Sequence, residues 1–327
     1  MVAEKKNDGI FIIDRSVFLS ACDISLNAAV SLLVIARGSG RDNATTSWSH
    51  NAIADYAGIS RKRASDAMLL LIEHALVEQV KSGSRPQYKI KISELEDDYI
   101  FLPNSIVDGV GDEIAPVRRL RQMHDVQLLR LFILLYSIHD LDNEGGMPIG
   151  MTRRARDLNL KLHYTNDIMA VFSCSGWGYE YNWPWFSRSE LFIDNVTSFE
   201  TFQDGMSELR SMGLIEVYGY VYEASLDDAE IVGPSYGKGV VEDLFEQLQR
   251  ESKRRFDLKE QIHFAIVPKH IKTPDFRTVV RLRYRPRTTK TSRWHALESE
   301  RDSYCMKLLQ KAIDLETAKA IERESDY

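Results

Sequence analysis

The chain is poor in cysteine, holds no long apolar run and carries no excess of positive charge; each lack removes a class of protein. Its three cysteines, Cys22, Cys174 and Cys305, are odd in number and far apart. They make neither a disulfide framework nor a metal set, which fits a reducing compartment. Every apolar stretch falls short of the roughly 20 residues that a membrane-spanning helix needs. The opening Met-Val-Ala-Glu-Lys-Lys-Asn-Asp lacks the pattern of a signal peptide, so a cytoplasmic location without a membrane partner is expected. A formal net charge of −6 excludes a protein that coats nucleic acid along its whole surface. Any surface for nucleic acid must then be local.

Signatures of catalysis are also missing. No Gly-x-Ser-x-Gly, His-Glu-x-x-His or paired-Cys pattern occurs. The segment 233–239 has one residue too few between its glycines for a phosphate loop, and no Ser or Thr follows Lys238. The loop from Asp140 fails as a calcium loop, because Met151 stands where the closing Glu belongs. No enzymatic activity, cofactor or metal is expected.

What the chain does contain is ordinary globular material: 327 residues, 44% hydrophobic and 28% charged. That length suits two or three domains. The most informative stretch is 48–92. Ser49 precedes the helical run His50 to Ala57, Gly58 breaks it, and Ser60 opens a second helix beginning Arg61-Lys62-Arg63. Ile53, Ala57, Ala64, Ala67, Met68, Leu71 and Ile72 recur at helical spacing and predict one shared apolar face. Leu76 to Val80, a polar tip at 81–85 and the alternating Tyr88-Lys89-Ile90-Lys91-Ile92 predict a hairpin directly after the second helix.

The run Ala54-Asp55-Tyr56-Ala57-Gly58-Ile59-Ser60-Arg61-Lys62-Arg63 resembles the helix-turn-helix core of winged-helix DNA-binding proteins, and the likeness extends over about residues 25–92. It implies that the helix opening at Ser60 enters the major groove of double-stranded DNA while the hairpin tip lies beside phosphates. The contacts expected are Ser60, Arg61, Lys62, Arg63 and Ser65 from the helix, with Lys81, Ser82, Arg85 and Lys89 from the hairpin. Cations at a helix N-terminus suit the task independently, because free N–H groups there favour anions. A small helical core with a solvated charged face is the bland alternative.

The first domain is expected over 8–93, with the short strand 10–13 and the helix Leu26–Arg37 before the helix-turn-helix. Beyond the acidic junction 94–98 the pattern returns. Residues 100–107 echo 11–18, an apolar helix carries Val126, Leu129, Phe132, Ile133 and Tyr136, and residues 213–218 parallel 75–80. A second, enlarged and degenerate winged helix is therefore expected over 99–232, with a turn at Gly219 and a return strand 220–222. Its helix begins Phe199-Glu200-Thr201-Phe202-Gln203-Asp204, which repels phosphate. That copy is expected to support or dimerise rather than to read bases.

Within it, Trp177, Tyr179, Tyr181, Trp183 and Trp185 alternate, either as a core face or as an exposed aromatic platform. Arg153, Arg154 and Arg156 form a cationic cluster beside it. The third region, 240–327, is expected to hold a helix over 240–255, a hairpin of strands 262–267 and 278–284, and a helix over 298–322. In the second strand Arg281, Arg283, Arg285 and Arg287 are expected on one outward row, facing either nucleic-acid backbone or the protein's own carboxylates.

The class expected is α+β: tandem winged helices followed by an α/β C-terminal region. The function expected is sequence-specific binding of double-stranded DNA, as a transcriptional regulator. The unequal tandem also resembles replication initiators of plasmids and phages, which makes origin binding the alternative. A winged-helix adaptor for proteins is the third reading. Homodimerisation through the second copy or the C-terminal helix is a further expectation.

Overall fold

The computed structural model describes residues 9–83, 85–93, 98–140, 146–154, 159–165, 167–175, 179–193, 198–225, 229–232, 263–286, 288–293 and, in part, 296–321. Strand β1 (Ile10–Asp14) runs straight into helix α1 (Arg15–Ile24). Asp14 joins them: one carboxylate oxygen accepts from the Val17 N–H at 3.0 Å and the Ser16 hydroxyl at 2.7 Å, the other from the Ser93 N–H at 2.7 Å. A buried carboxylate is tolerated because its oxygens are so occupied. Ser25 ends α1 and caps α2 (Leu26–Arg37), accepting from the Ala28 N–H at 3.1 Å. Helix α2 is buried continuously from Ala28 to Ala36 and forms the centre of its unit. A helix apolar on every side needs such surroundings.

Around it stand β2 (Thr45–Thr46), α3 (His50–Ala57), α4 (Arg61–Glu73), β3 (Val77–Lys81) and β4 (Gln87–Ile90). The strands form an antiparallel sheet in the order β2-β4-β3. Tyr88 and Ile90 point inward from β4 while Gln87 and Lys89 point out, the period-2 alternation of a half-buried strand. Next comes β5 (Tyr99–Pro103), which pairs antiparallel with β1, Ile10 opposite Pro103 and Asp14 opposite Tyr99. Helices α5 (Ser105–Asp108), α6 (Pro116–Gln122) and α7 (Val126–Leu134) follow. Arg130 of α7 is buried and reaches Asp23 of α1 at 2.5 Å.

The remaining elements are β6 (Thr152–Arg154), β7 (Asn159–Thr165), β8 (Met169–Ser175), β9 (Tyr179–Tyr181), α8 (Trp183–Phe186), α9 (Glu190–Ile193), α10 (Phe199–Ser211), β10 (Ile215–Tyr222), β11 (His263–Pro268) and β12 (Asp275–Leu282). Their sheets run β11-β8-β7, β10-β12 and β6-β9. All described residues from 289 onward are helical. Helix and strand are thus mixed as the α+β class requires.

The chain forms two compact units, the first of residues 1–139, 187–215 and 282–291, the second of 140–186, 216–281 and 292–327. These cut the sequence elsewhere than the expected 8–93, 99–232 and 240–327. The pairing of β1 with β5 is one physical reason: it ties residues expected in separate domains into one unit. The second unit has its own core, built on Ala170, Phe172, Val221, Val267, Ile271 and Phe276.

Two elements of the first unit repeat one design. Ser60 caps α4 by accepting from the Arg63 N–H at 3.3 Å, and Ser198 caps α10 by accepting from the Thr201 N–H at 3.1 Å. Ala64, Ala67, Met68 and Leu71 are buried on α4; Phe202, Met206 and Leu209 are buried at matching positions on α10. Both helices end in a left-handed residue, Ala75 at φ 55° and Gly213 at φ 66°. The following Leu76 and Leu214 N–H groups then donate back to Leu71 and Leu209 at 3.0 and 2.9 Å. After α10, however, no turn occurs at Gly219. Strand β10 continues to Tyr222, and the chain returns only at Ile231, which bridges Tyr222.

Candidate nucleic-acid interface

Helix α3 ends at Gly58, whose φ of 65° lets the chain reverse toward α4. A residue with a Cβ is strained there, so glycine serves. Ser49 has the extended backbone of an N-cap but makes no side-chain capping bond. Ile53 and Ala57 of α3 and Ala64, Ala67, Met68 and Leu71 of α4 are buried, so both helices are held by their apolar faces. The opposite face of α4 is free. Arg61, Lys62 and Arg63 are all exposed, with no ion pair or side-chain hydrogen bond among the described residues; Ser65 beside them is half-buried. The first turn of α4 therefore presents three cations together with backbone N–H groups that lack helical partners.

The hairpin supplies the second part. Lys81, Ser82 and Arg85 are exposed at its tip, and Ser84 lies outside the described residues. Strand β3 bulges between Gln79 and Lys81, which turns the tip relative to the sheet. Lys89 is exposed on β4, opposite Glu78 of β3 and Thr45 of β2. The loop into β2 is fixed by Asp42, which accepts from the Ala44 and Thr45 N–H groups at 3.2 and 3.0 Å. Bonding from Thr45, side chain and backbone, holds this carboxyl below its ordinary range.

An aromatic clamp positions α3. Trp48 stacks on Tyr56 with ring centroids 4.7 Å apart, and the Arg37 guanidinium lies 5.7 Å from the Trp48 centroid. Arg37 also reaches Asp108 at 2.7 Å, so this cation is committed internally. Gly38 is required here for space, since a Cβ would stand 2.2 Å from Trp48.

The arginine row does not form. Strand β12 ends at Leu282, and Arg281 is fully buried rather than outward. Its guanidinium donates to the Tyr220 hydroxyl and lies 4.5 and 5.2 Å from the Tyr218 and Tyr220 ring centroids. The reason is that β12 is covered on both faces, so the alternation of charge and apolar residues does not sort them into outside and inside. Arg283 is exposed but pairs with Glu113 at 2.6 Å, and the Tyr284 hydroxyl donates to the same carboxylate at 2.8 Å. The Tyr284 hydroxyl bond and Arg283 together lower the Glu113 pKa. Arg285 is half-buried, and Arg287 lies outside the described residues.

Other expectations shift as well. The hairpin of 262–267 with 278–284 is absent: β11 pairs with β8, and β12 with β10. The aromatic alternation is extended only over Tyr179–Tyr181, since Trp183–Phe186 is helical. Arg153 is exposed and bonded to Glu180 at 3.2 Å. Arg156, Trp177, the helix expected over 240–255 and the glycine segment 233–239 lie outside the described residues.

One cation escapes sequence reading altogether. Arg118 of α6 is exposed, and its side chain lies against the Gly58 turn: a Cβ on Gly58 would be 2.5 Å from its Nε. Nothing in the local pattern of a short Pro-started helix marks that residue out. On α10, by contrast, exposed Glu200 stands where α4 carries Lys62, while Asp204 matches Asp66. No helix among the described residues is long and apolar enough to cross a membrane. Comparison with protein-family models, with curated proteins and with solved structures gives no match.

Proposed function

We propose that this protein binds double-stranded DNA in a sequence-specific manner and acts as a transcriptional regulator, with α3, α4 and the β3–β4 hairpin forming a winged helix. The observation that carries the reading is the first turn of α4. Three exposed cations with no ion pair or side-chain hydrogen bond among the described residues stand at a capped helix N-terminus in a protein of net charge −6. Phosphate or a guanine edge satisfies them, whereas water alone leaves three like charges repelling one another. Lys81, Ser82 and Arg85 at the hairpin tip extend the contact to the flanking backbone. The α10 segment is the degenerate second copy, and Glu200 in its first turn, where α4 carries Lys62, keeps it off the duplex.

Selection of bound sequences from a random duplex pool, at two salt concentrations, tests binding, specificity and site symmetry together. Arg61→Ala with Arg63→Ala is expected to weaken binding to the selected duplex by about 30-fold or more, taking about 1–3 kcal/mol for each lost base contact. Wild-type affinity in that double variant overturns the reading. Origin binding is the second reading, favoured by the unequal repeat of α4 and α10. Binding to repeated sites with strand opening supports it, and a single operator over a promoter supports regulation.

A further inference from the structure

We infer that Arg118, supplied by α6 rather than by the helix-turn-helix, is a further phosphate-binding residue of this interface; the inference rests on the DNA-binding reading above. The side chain lies flat on the turn between α3 and α4, with Nε, Cζ and Cδ at 2.5, 3.0 and 3.2 Å from where a Gly58 Cβ would sit. From Gly58 the chain takes three Cα steps to Arg61, a path of at most about 11 Å. Arg118 therefore adds a fourth exposed cation beside the turn that leads into the first turn of α4.

Its neighbours on α6 behave differently. Arg119 donates to the Met212 carbonyl at the end of α10, and Arg121 is half-buried. Arg118 is exposed and has no ion pair or side-chain hydrogen bond among the described residues. A cation held near three others, none of them in an ion pair among the described residues, is electrostatically unfavourable until an anion arrives. A phosphate on the strand flanking the groove is such an anion, and the guanidinium fork matches it. The glycine then has two roles: its left-handed backbone closes the turn, and its missing side chain leaves the bed in which Arg118 lies.

The competing role is internal, a cation favoured at the C-terminal end of α3 by the helix dipole. The two roles separate in the salt dependence of binding. The selected duplex is titrated with wild type, Arg118→Gln, Arg118→Lys and the Arg61→Ala, Arg63→Ala double variant over a salt series, with thermal melting of each protein alongside. Losing one phosphate contact is expected to make the log–log salt slope shallower by about 0.9, to weaken binding about 5- to 20-fold in Arg118→Gln, and to spare the slope in Arg118→Lys. If Arg118→Gln keeps the wild-type slope while the double variant loses binding, Arg118 touches no phosphate and this inference fails alone. A lowered melting temperature with an unchanged slope assigns it the internal role and overturns it equally. A wild-type protein that binds no duplex at any salt overturns the DNA reading itself.

Discussion

Cys22 sits buried in α1, and burial pushes its thiol from 9.0 up to about 12. The thiolate is the reactive form, so this cysteine is expected to resist alkylation in the native protein at pH 8 and to label fully in denaturant. Peptide mass mapping after timed exposure to iodoacetamide checks it, and rapid native labelling of Cys22 contradicts the burial. The sign for stability follows. Because the folded thiol ionises later than the unfolded one, its contribution is complete below about pH 9 and is lost as pH climbs toward 12. At this scale the sequence is a partial guide. The cations 61–63 are legible because a Ser cap and a glycine stop fix where the helix begins. Arg281 is not, because its exposure depends on what covers β12, and no local pattern records that both faces are covered.

The two Ser-capped helices carry the lesson for elements. Apolar spacing, Ser60 and Ser198 at the starts and Gly213 at one end are all visible in sequence, so α4 and α10 are legible nearly to the residue. Pairing is the hidden part: β10 reads as a strand and a turn because Gly219 interrupts it, yet Gly219 is buried within a continuous strand. The helix ends also make a paired prediction. Ala75 and Gly213 occupy the same left-handed position, which costs a residue with a Cβ about 1–2 kcal/mol. Gly213→Ala is expected to destabilise by about 1 kcal/mol; its nearest neighbour, an Arg283 guanidinium nitrogen, would stand 3.7 Å from the new Cβ, so strain and not crowding is responsible. Ala75→Gly is expected to stabilise by about 0.5 kcal/mol, less than the strain relieved, because glycine gives up more freedom on folding. Urea denaturation of both variants measures these effects, and equal signs for the two sink the comparison.

Charge settles matters at the scale of the whole chain. A net charge of −6 repels DNA at long range, so the proposed binding depends on where the cations are gathered. In the first unit α4 opens with Arg61-Lys62-Arg63, whereas α10 opens with Phe199-Glu200-Thr201 on an otherwise similar plan. Were α10 also laid against DNA, Glu200 would face phosphate where α4 carries Lys62, whereas Asp204 only matches Asp66 of α4. Removing both carboxylates would then raise affinity by an order of magnitude or more and alter the salt slope. Under the proposed reading, with binding confined to α4 and its neighbours, Glu200→Ala with Asp204→Ala is expected to change affinity for the selected duplex less than about threefold, the residual effect being long-range and fading as salt rises. The same titration series reads both outcomes. A large, salt-resistant gain would place α10 on the duplex and make both copies readers of DNA.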